Sequence, residues 1–558
     1  MRDPAPTKRA HMKAAPDSER LYDGLAIALL VLLVASVSAT FRDYGISNDE
    51  EVQHEYGRLL LNWYASGFSD TAAFSYINLY LYGGLFDMAV HLLAPVVPID
   101  AWDLRHLLSG LAGVAGIAGA WRVARLLAGP RAGFLAAALL ALTASYYGAM
   151  FNNTKDVPFA ASMIWLVYCM CRIAAELPRP RLRDVALAGV VLGLALGIRV
   201  GGFLGVFYLG GAVALWLAGA ALRDGLRPAA AQSLRIAWAL LPAAPIAYAL
   251  MALLWPWSVQ HWANPVRALV EFSHFSYDIE TIYDGELFKM DAVPAYYLPG
   301  YLLIKLPEIM LVGLAVAAGY AGRRALAGRS SSALQWLRAV SGRDLQLALV
   351  AMAAALPILI FVLSKPPIYN GIRHFFFVVP PLAALAAVAI DRALRDLQDR
   401  APRTAVAAGL ALVGAGAVEA STTIALHPDQ YVYYNSLAGG LDDAVGRYEG
   451  DYWSNSVKEA TQALARIVES ENGGKAPGRT FRVALCTQRK AAEPHFPPYL
   501  KLHNDWDEAD FFISPTHAGC DNELAGRIIY QAERLGAVLS VVKDRRELAL
   551  IRSAATPP

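Results

Sequence analysis

Long apolar segments recur along the first three quarters of this chain and decide the solvent in which most of it folds. Apolar residues make up 56% of the 558 residues, charged residues make up only 17%, and the mean hydropathy is +0.37. A run of about 20 apolar residues crosses the hydrocarbon core of a bilayer as a helix, because a helix satisfies its own backbone hydrogen bonds. The pattern predicts a polytopic α-helical membrane protein and excludes an ordinary soluble enzyme.

Arginine-rich loops indicate how these segments alternate across the membrane. Short loops rich in Lys and Arg stay on the cytoplasmic side. If the interrupted segment 77–97 crossed the membrane, all five arginine-rich loops would lie outside, so we predict that it is juxtamembrane or re-entrant. The amphipathic segment 49–65 before it is predicted to lie on the membrane surface. The sequence then predicts about eleven spans, with the amino terminus inside and the carboxyl tail outside: 21–40, 104–124, 132–151, 157–174, 185–199, 203–221, 236–255, 296–320, 345–364, 374–391 and 404–423.

Changes in polarity divide the chain into three parts. Residues 1–20 are polar and basic and are expected to form a cytoplasmic tail, residues 21–424 form the membrane domain, and residues 425–558 form a soluble extracytoplasmic domain. In this last part, periodicity predicts a small α/β domain with helices at 456–469 and 522–535 and strands at 481–486, 510–514, 538–542 and 547–551. It contains no GxGxxG, P-loop or zinc-ligand spacing, so nucleotide binding has no support. Cys486 and Cys520 could form a disulfide if this domain lies outside the cytoplasm.

An acidic cluster follows the first predicted span, in the stretch Ser47-Asn48-Asp49-Glu50-Glu51. An ionised carboxylate without a partner loses hydration energy beside hydrocarbon, so these acids must lie at the interface or in a polar cavity. The predicted topology places a second carboxylate, several cations and a tyrosine on the same outer face. They are Asp156, Arg105, His106, Lys155, Arg199, Tyr369, Arg373 and His374. Such a set could form a site for an anionic substrate.

Transfer of a sugar from a polyprenyl phosphate suits this set of residues. The phosphate leaves readily once cations or hydrogen-bond donors meet its growing charge. The reaction also needs a base that takes the proton of the acceptor hydroxyl. We predict that Asp49 is this base, that Glu50 and Asp156 orient groups around it, and that the cations and Tyr369 bind the substrate phosphate. The outer face has no nucleotide sugars, so a donor there must carry its activation on a lipid.

These residues resemble the GT-C superfamily. The Asp49-Glu50 pair after the first span, Asp156 at the next outer turn and the Arg373-His374 entry to a late span are similar to the protein O-mannosyltransferase and lipid A aminoarabinose transferase group, also described as phospholipid carrier-dependent glycosyltransferases. The resemblance covers the membrane portion up to about the last span. It implies a GT-C fold with juxtamembrane helices in the first outer loop, a catalytic aspartate there, an inverting reaction and a polyprenyl-phosphate sugar donor. It implies no obligatory metal, although Asp49, Glu50 and Asp156 are oxygen ligands that would suit Mg²⁺ or Mn²⁺.

The sequence therefore predicts an inverting glycosyltransferase of the bacterial inner membrane that needs no cofactor, takes a polyprenyl-phosphate sugar and serves an unidentified hydroxyl acceptor on a protein, lipid or glycan. Nucleic acid is not expected as a partner. Two other classes remain open. A transporter or flippase of a lipid-linked sugar would hold its charges near the midplane of the membrane and show related halves. A non-catalytic envelope scaffold would use the soluble domain for binding. Among the cations, anchoring at the interface is the structural alternative to phosphate binding.

Overall fold

The computed structural model describes residues 16–274, 277–327 and 333–548. Most of the predicted cytoplasmic tail, residues 1–15, lies outside these ranges. Within them the membrane domain is helical, apart from a hairpin of two short strands, β1 (Glu280–Tyr283) and β2 (Glu286–Lys289). Its helices are α1 (Pro16–Thr40), α2 (Glu50–Ala65), α3 (Leu85–Leu93), α4 (Ala101–Ala128), α5 (Pro130–Ala141), α6 (Ala144–Asn152), α7 (Asp156–Ala175), α8 (Leu182–Leu196), α9 (Leu204–Asp224), α10 (Leu226–Leu240), α11 (Ala243–Leu254), α12 (Trp257–Gln260), α13 (Asn264–His274), α14 (Tyr297–Lys305), α15 (Glu308–Ala327), α16 (Ala333–Arg338), α17 (Gly342–Ser364), α18 (Val379–Arg400) and α19 (Pro402–Ala425).

The chain is a multi-pass membrane protein. In the ranges that the structure describes, nine helical segments are long and apolar enough to cross a bilayer, and α5 with α6, bent by 63°, would form a tenth. Each of the eleven predicted spans overlaps a helix. The remaining one, α8, has only 15 residues, or about 22 Å at 1.5 Å per residue, which is short for a span. The predicted total of eleven therefore stays a prediction.

The segment between α1 and α4 lies against the membrane domain as two short helices. The segment predicted to be an amphipathic helix forms α2, and its apolar side, with Tyr56, Leu59 and Leu60, is buried against α3 and the turns before it. Its predicted place on the membrane surface stays a prediction. The interrupted segment 77–97 forms a 3₁₀ turn and the nine-residue α3, which is too short to cross a bilayer. Gly57 allows α2 and α3 to approach closely, because a Cβ there would lie 2.7 Å from backbone and side-chain atoms of Asp87.

Arginine pairs join the helix ends that are remote from Asp49. Arg125 of α4 bonds Asp23 of α1 at 2.7 Å, and Arg131 of α5 bonds Asp391 of α18 at 2.5 Å. A third pair, Arg172 with Asp184, joins α7 to α8 at 2.9 Å. The arginine-rich loops thus lie together at one end of the helices, and the predicted site residues lie at the other.

The carboxyl-terminal part contains a five-stranded sheet, with α20 (Gly440–Ala444) and α21 (Val457–Glu471) before it. Its strands are β3 (Phe481–Leu485), β4 (Leu500–Leu502), β5 (Phe511–Pro515), β6 (Arg527–Arg534) and β7 (Ala537–Asp544), in the order β4-β3-β5-β7-β6. Strand β3 is parallel to β4 and β5, whereas β7 is antiparallel to both β5 and β6. The apolar side of α21 packs on the sheet through Val457, Leu464 and Val468.

One element of this domain differs from the sequence prediction. The prediction of a helix at 522–535 is wrong. Arg527–Arg534 forms β6 instead, which pairs along its length with β7 across a tight turn. The hydrogen bonds of this hairpin, and the packing of its strands, have overridden the helical periodicity of the segment. Of the strand predicted at 547–551, residues 547 and 548 are helical, and the rest lies outside the described residues. Cys486 and Cys520 are joined in a disulfide, with their Cα atoms 6.1 Å apart.

Gly148 of α6 marks the point where the membrane domain meets the segment after α19. A Cβ at this position would overlap the amide nitrogen of Tyr431. We expect Gly148→Ala to lower the free energy of unfolding by about 1–3 kcal/mol, because helix and turn would have to separate. Thermal unfolding in detergent measures the effect. Gly210→Ala in α9 is the matched control, since a Cβ there meets no atom within 4 Å; equal melting temperatures for the two variants would contradict the expectation.

Candidate active site

Arg373 lies between the two carboxylates that the sequence singled out. It stands at the start of the 3₁₀ turn Arg373–Val378 that leads into α18, and it is only 4% exposed. Its Nη2 donates to Asp49 Oδ2 at 2.6 Å, and its Nε lies 3.5 Å from Asp156 Oδ2. A buried guanidinium needs such partners, because an unpaired charge in this environment is strongly unfavourable. Residues from the first loop, the start of α7 and the start of α18 therefore meet at one point.

Asp49 is the accessible member of this group. It precedes α2, and 34% of its side chain is exposed, whereas the side chain of Asp156 is fully buried. Burial disfavours the charged form of Asp49, but the positive charges of Arg373, Lys155 and Arg199 and the bond from Arg373 outweigh it and lower its pKa. Asp49 is therefore an ionised carboxylate at neutral pH, and it is open on one side.

Asp156 is held on every side. Asn153 Oδ1 accepts hydrogen bonds from the backbone nitrogens of Lys155 at 2.9 Å and Asp156 at 3.2 Å, which fixes the start of α7. The Asp156 side chain pairs with Arg199 through one oxygen and faces Arg373 through the other. This carboxylate thus orients two arginines and has no exposed surface with which to meet a substrate.

Lys155 contributes a third cation to the group. Its Nζ lies 4.1 Å from the ring centroid of Tyr82, and the Arg199 guanidinium lies 6.0 Å from the same ring. Among the described residues, Lys155 Nζ has no hydrogen-bond or ion-pair partner. Burial is the main effect that lowers the pKa of Lys155, to about 8. Three cations thus face two carboxylates, which leaves one positive charge in excess.

Aromatic rings surround Arg373. The ring centroids of Tyr369 and Trp453 lie 5.3 and 5.6 Å from its guanidinium carbon, and Trp453 belongs to the carboxyl-terminal part of the chain. Burial raises the pKa of Tyr369, so it is a neutral phenol at neutral pH. His374 packs edge-on against Tyr369 at 4.9 Å. The ring of Tyr369 therefore contacts both Arg373 and His374.

Glu50, Arg105 and His106 form a separate buried network together with Asp87. Glu50 Oε2 lies 3.3 Å from His106 Nε2, and Arg105 pairs with Asp87 at 2.8 Å and lies 4.0 Å from Glu50. These four side chains are at most 3% exposed. Arg105 also donates to the hydroxyl of Thr154 at 3.2 Å, and Thr154 directly precedes Lys155 in the chain. Direct contact of Glu50, Arg105 or His106 with a substrate thus has no support in this arrangement, and their predicted roles stay predictions.

Several residues of the site were not among those predicted from the sequence. Tyr82, Asp87 and Trp453 carry no motif, and only the sequence neighbourhoods gave a signal: the acid and glycines that interrupt segment 77–97, and the aromatic stretch beginning at Tyr452. Of the His, Cys, Asp and Glu residues in the described ranges, no three are grouped so that they could hold a metal ion. The expectation that the protein needs no metal stays a prediction.

Residues 99–255 match the family model of the dolichyl-phosphate-mannose-protein mannosyltransferases. The predicted resemblance to the protein O-mannosyltransferase group is confirmed over these residues. The matched segment contains Arg105, His106, Lys155, Asp156 and Arg199, but not Asp49 or Arg373. A search of curated proteins found no match.

Solved structures of membrane glycosyltransferases are similar to this chain at low sequence identity. ArnT from Cupriavidus metallidurans in the apo state is 15% identical, with 94% of this chain and 99% of ArnT covered and a TM-score of 0.46. The same protein bound to undecaprenyl phosphate is 14% identical, with 95% and 98% covered and a TM-score of 0.45. The oligosaccharyltransferase of Archaeoglobus fulgidus in the apo form is 13% identical, with 85% of this chain and 64% of that chain covered and a TM-score of 0.47.

A substitution of Arg105 tests the structural role of the buried network of Glu50, Asp87, Arg105 and His106. We expect Arg105→Gln to lower the free energy of unfolding by about 3–5 kcal/mol, because it leaves the buried carboxylates of Asp87 and Glu50 without their cation. Arg58→Gln is the control, since Arg58 pairs with Glu55 on an exposed face of α2 and its loss should cost less than about 1 kcal/mol. Thermal unfolding of both variants in detergent measures the difference; an Arg105 variant as stable as the Arg58 variant would disprove this role.

Proposed function

We propose that this chain is an inverting glycosyltransferase that moves a sugar from a polyprenyl-phosphate carrier to an acceptor hydroxyl. The observation that carries the proposal is the pairing of Asp49 with Arg373 beside the ammonium of Lys155, which has no hydrogen-bond or ion-pair partner within the described ranges. It combines an accessible base with an excess of positive charge, which are the two groups this reaction requires. The family match over residues 99–255 supports glycosyl transfer as the general activity.

Asp49 suits the role of general base. Its carboxylate is ionised because Arg373, Lys155 and Arg199 lower its pKa, and its open side can accept a hydrogen bond from an acceptor hydroxyl. Arg373 donates to Oδ2 of this carboxylate at 2.6 Å. The bond also fixes the orientation of the carboxylate, which matters because a base must lie within hydrogen-bond distance of the proton that it takes.

The three cations suit the role of phosphate site. A sugar linked to a polyprenyl phosphodiester carries one negative charge, which equals the excess positive charge of the group. Arginine binds phosphate through two parallel hydrogen bonds, and Arg199 Nε is a buried donor with no hydrogen-bond partner among the described residues. We assign Lys155, Arg199 and Arg373 to this role, with Tyr369 and His374 beside them.

In the proposed step, the acceptor oxygen attacks the anomeric carbon while Asp49 takes the hydroxyl proton. The bond between the anomeric carbon and the phosphate oxygen breaks, and its electron pair stays with the phosphate. A single displacement inverts the configuration of the sugar. The leaving polyprenyl phosphate gains negative charge that Lys155, Arg199 and Arg373 stabilise, so no separate acid is needed. No metal ion takes part in the proposed step.

We also propose that the site faces the outer side of a bacterial inner membrane. The arginine-rich helix ends would then lie in the cytoplasm, as positively charged short loops usually do. The carboxyl-terminal sheet domain lies at the same end of the helices as Asp49 and would be extracytoplasmic, where its disulfide would persist.

Asp49→Asn tests the proposed base. We expect kcat to fall by about 10²–10⁴-fold, because the amide has the same shape but accepts no proton. Sugar release from synthetic polyprenyl-phosphate sugars by the purified protein measures this loss, with a cell-envelope extract as the source of acceptor. Glu51→Gln is the matched control: it neutralises an exposed acid two residues away and should leave kcat unchanged.

The same variant separates transfer from the two other classes of function. A flippase would move labelled lipid-linked sugar across vesicles without consuming it, and an envelope scaffold would work normally with Asn at position 49. Full activity of Asp49→Asn in a correctly folded protein would disprove the proposal.

Comparing lipid-linked sugars and envelope glycans by mass spectrometry, in cells with and without the gene, would identify donor and acceptor.

The pKa of Lys155 predicts how the activity of the protein falls at alkaline pH. Below about pH 8 its ammonium is charged and attracts the phosphate, and above that pH the charge is lost, so kcat/KM for the donor should fall as the pH rises through about 8. In Lys155→Arg the group stays charged, so this decline should disappear. On the acid side, the lowered pKa of Asp49 should keep activity until the pH falls below the ordinary range of an aspartate. The same alkaline decline in both proteins would exclude Lys155 as its cause.

A further inference from the structure

The residue before Asp49 is held by the carboxyl-terminal domain through a dense set of hydrogen bonds. The Asn48 side-chain nitrogen donates to Tyr452 O and to Ser454 Oγ, each at 3.2 Å. Its side-chain oxygen accepts from Thr487 Oγ1 at 2.9 Å, and its backbone nitrogen donates to Trp453 O at 3.1 Å. Every hydrogen-bonding group of the Asn48 side chain is therefore used by residues more than 400 positions away.

Asp49 itself has an unusual backbone conformation. Its φ is +80°, in the left-handed region that residues other than glycine rarely adopt. Such a conformation costs about 1–3 kcal/mol and persists only when the surrounding structure enforces it. The Asp49 side chain makes no capping hydrogen bond to the start of α2, so α2 does not use this carboxylate. The conformation instead turns the carboxylate away from the α2 amides and towards Arg373.

We propose that Asn48, Ser454 and Thr487 form a clamp through which the carboxyl-terminal domain positions Asp49 for transfer. The inference rests on the proposed function, because it assigns positioning residues to the base of that reaction. Thr487 is central to the clamp, since its hydroxyl also bonds Ser454 Oγ at 2.7 Å and thus joins two segments of the domain to Asn48. The next residue, Gln488, extends the contact by accepting from the Asp49 backbone nitrogen at 3.3 Å.

Two features keep this clamp in place. Cys486, directly before Thr487, is covalently joined to Cys520, which restrains the end of β3 from which the Thr487–Gln488 segment emerges. On the other side, Trp453 is buried and packs against Arg373, so the segment that holds Asn48 also contacts the arginine that binds Asp49. The domain therefore restrains both partners of the Asp49–Arg373 pair.

Thr487→Val and Asn48→Ala test the clamp. Thr487→Val removes one hydroxyl, with its bonds to Asn48 and Ser454, and hardly changes the shape of the side chain. We expect kcat to fall about fivefold, which corresponds to about 1 kcal/mol. Asn48→Ala removes three side-chain bonds, and we expect a fall of at least about tenfold. KM for a synthetic polyprenyl-phosphate sugar should stay near the original value in both variants, because the cations are untouched.

The acid limb of the kcat/KM profile, where activity is lost as the pH falls, should move to higher pH in both variants. An Asp49 that moves away from Arg373 loses part of the effect that lowers its pKa.

Thr516→Val is the matched control. Its hydroxyl is equally half-buried in the same domain, but it donates to Val538 O, away from Asn48. We expect this variant to lose stability without a change of kcat or of the acid limb. If Thr487→Val and Asn48→Ala behave like Thr516→Val, the clamp is disproved, whereas the proposed function still stands as long as Asp49→Asn is inactive. If Asp49→Asn is active, the proposed function fails independently of the clamp.

Discussion

The buried charge of Arg373 is the constraint on which the arrangement of the site depends. A guanidinium that is almost excluded from water must be met by carboxylates, and removing one partner of such a pair is far more costly than removing an exposed ion pair. Arg373 meets this requirement with Asp49 from the loop after α1 and Asp156 from the start of α7. The turn that leads into α18 is therefore held against two segments that are distant in sequence.

Asp49 and Asp156 show how the same side chain acquires two functions from its surroundings. Asp156 lies between Arg199 and Arg373 with no exposed surface, so it can only orient and neutralise them. Asp49 bonds the same Arg373 but keeps a third of its side chain exposed. The difference arises from backbone geometry: Asp156 opens a helix whose first amides are capped by Asn153, whereas Asp49 stands in a left-handed conformation enforced from the carboxyl-terminal domain.

Much of this architecture could be predicted from the sequence, because its causes are local. Apolar length and arginine-rich loops predicted the helices and the common face of Asp49, Asp156, Arg199 and Arg373. The sequence did not predict that Asp49 and Glu50 belong to different networks. Their separation depends on the backbone conformation at Asp49, which directs the two adjacent carboxylates to different partners. Likewise Tyr82 and Trp453 carry no charge or motif, and strand β6 owes its form to a partner strand rather than to its own periodicity. Contacts between separate segments of the chain have no signature in either segment alone.

The balance of charge in the site bears on how the proposed reaction would be driven. Three cations and two carboxylates leave one positive charge, which matches the single negative charge of a sugar phosphodiester before transfer. As the bond to the anomeric carbon breaks, the phosphate moves towards the two charges of a monoester, while Asp49 loses its own charge by taking the acceptor proton. The cations then face more phosphate charge and one competing carboxylate fewer, so their attraction to the phosphate is stronger in the transition state than in the bound donor. Interactions that strengthen in this way accelerate a reaction, whereas equal binding of both states does not. The Asp49–Arg373 pair would thus act twice, first by keeping the base ionised and then by releasing Arg373 to the leaving phosphate.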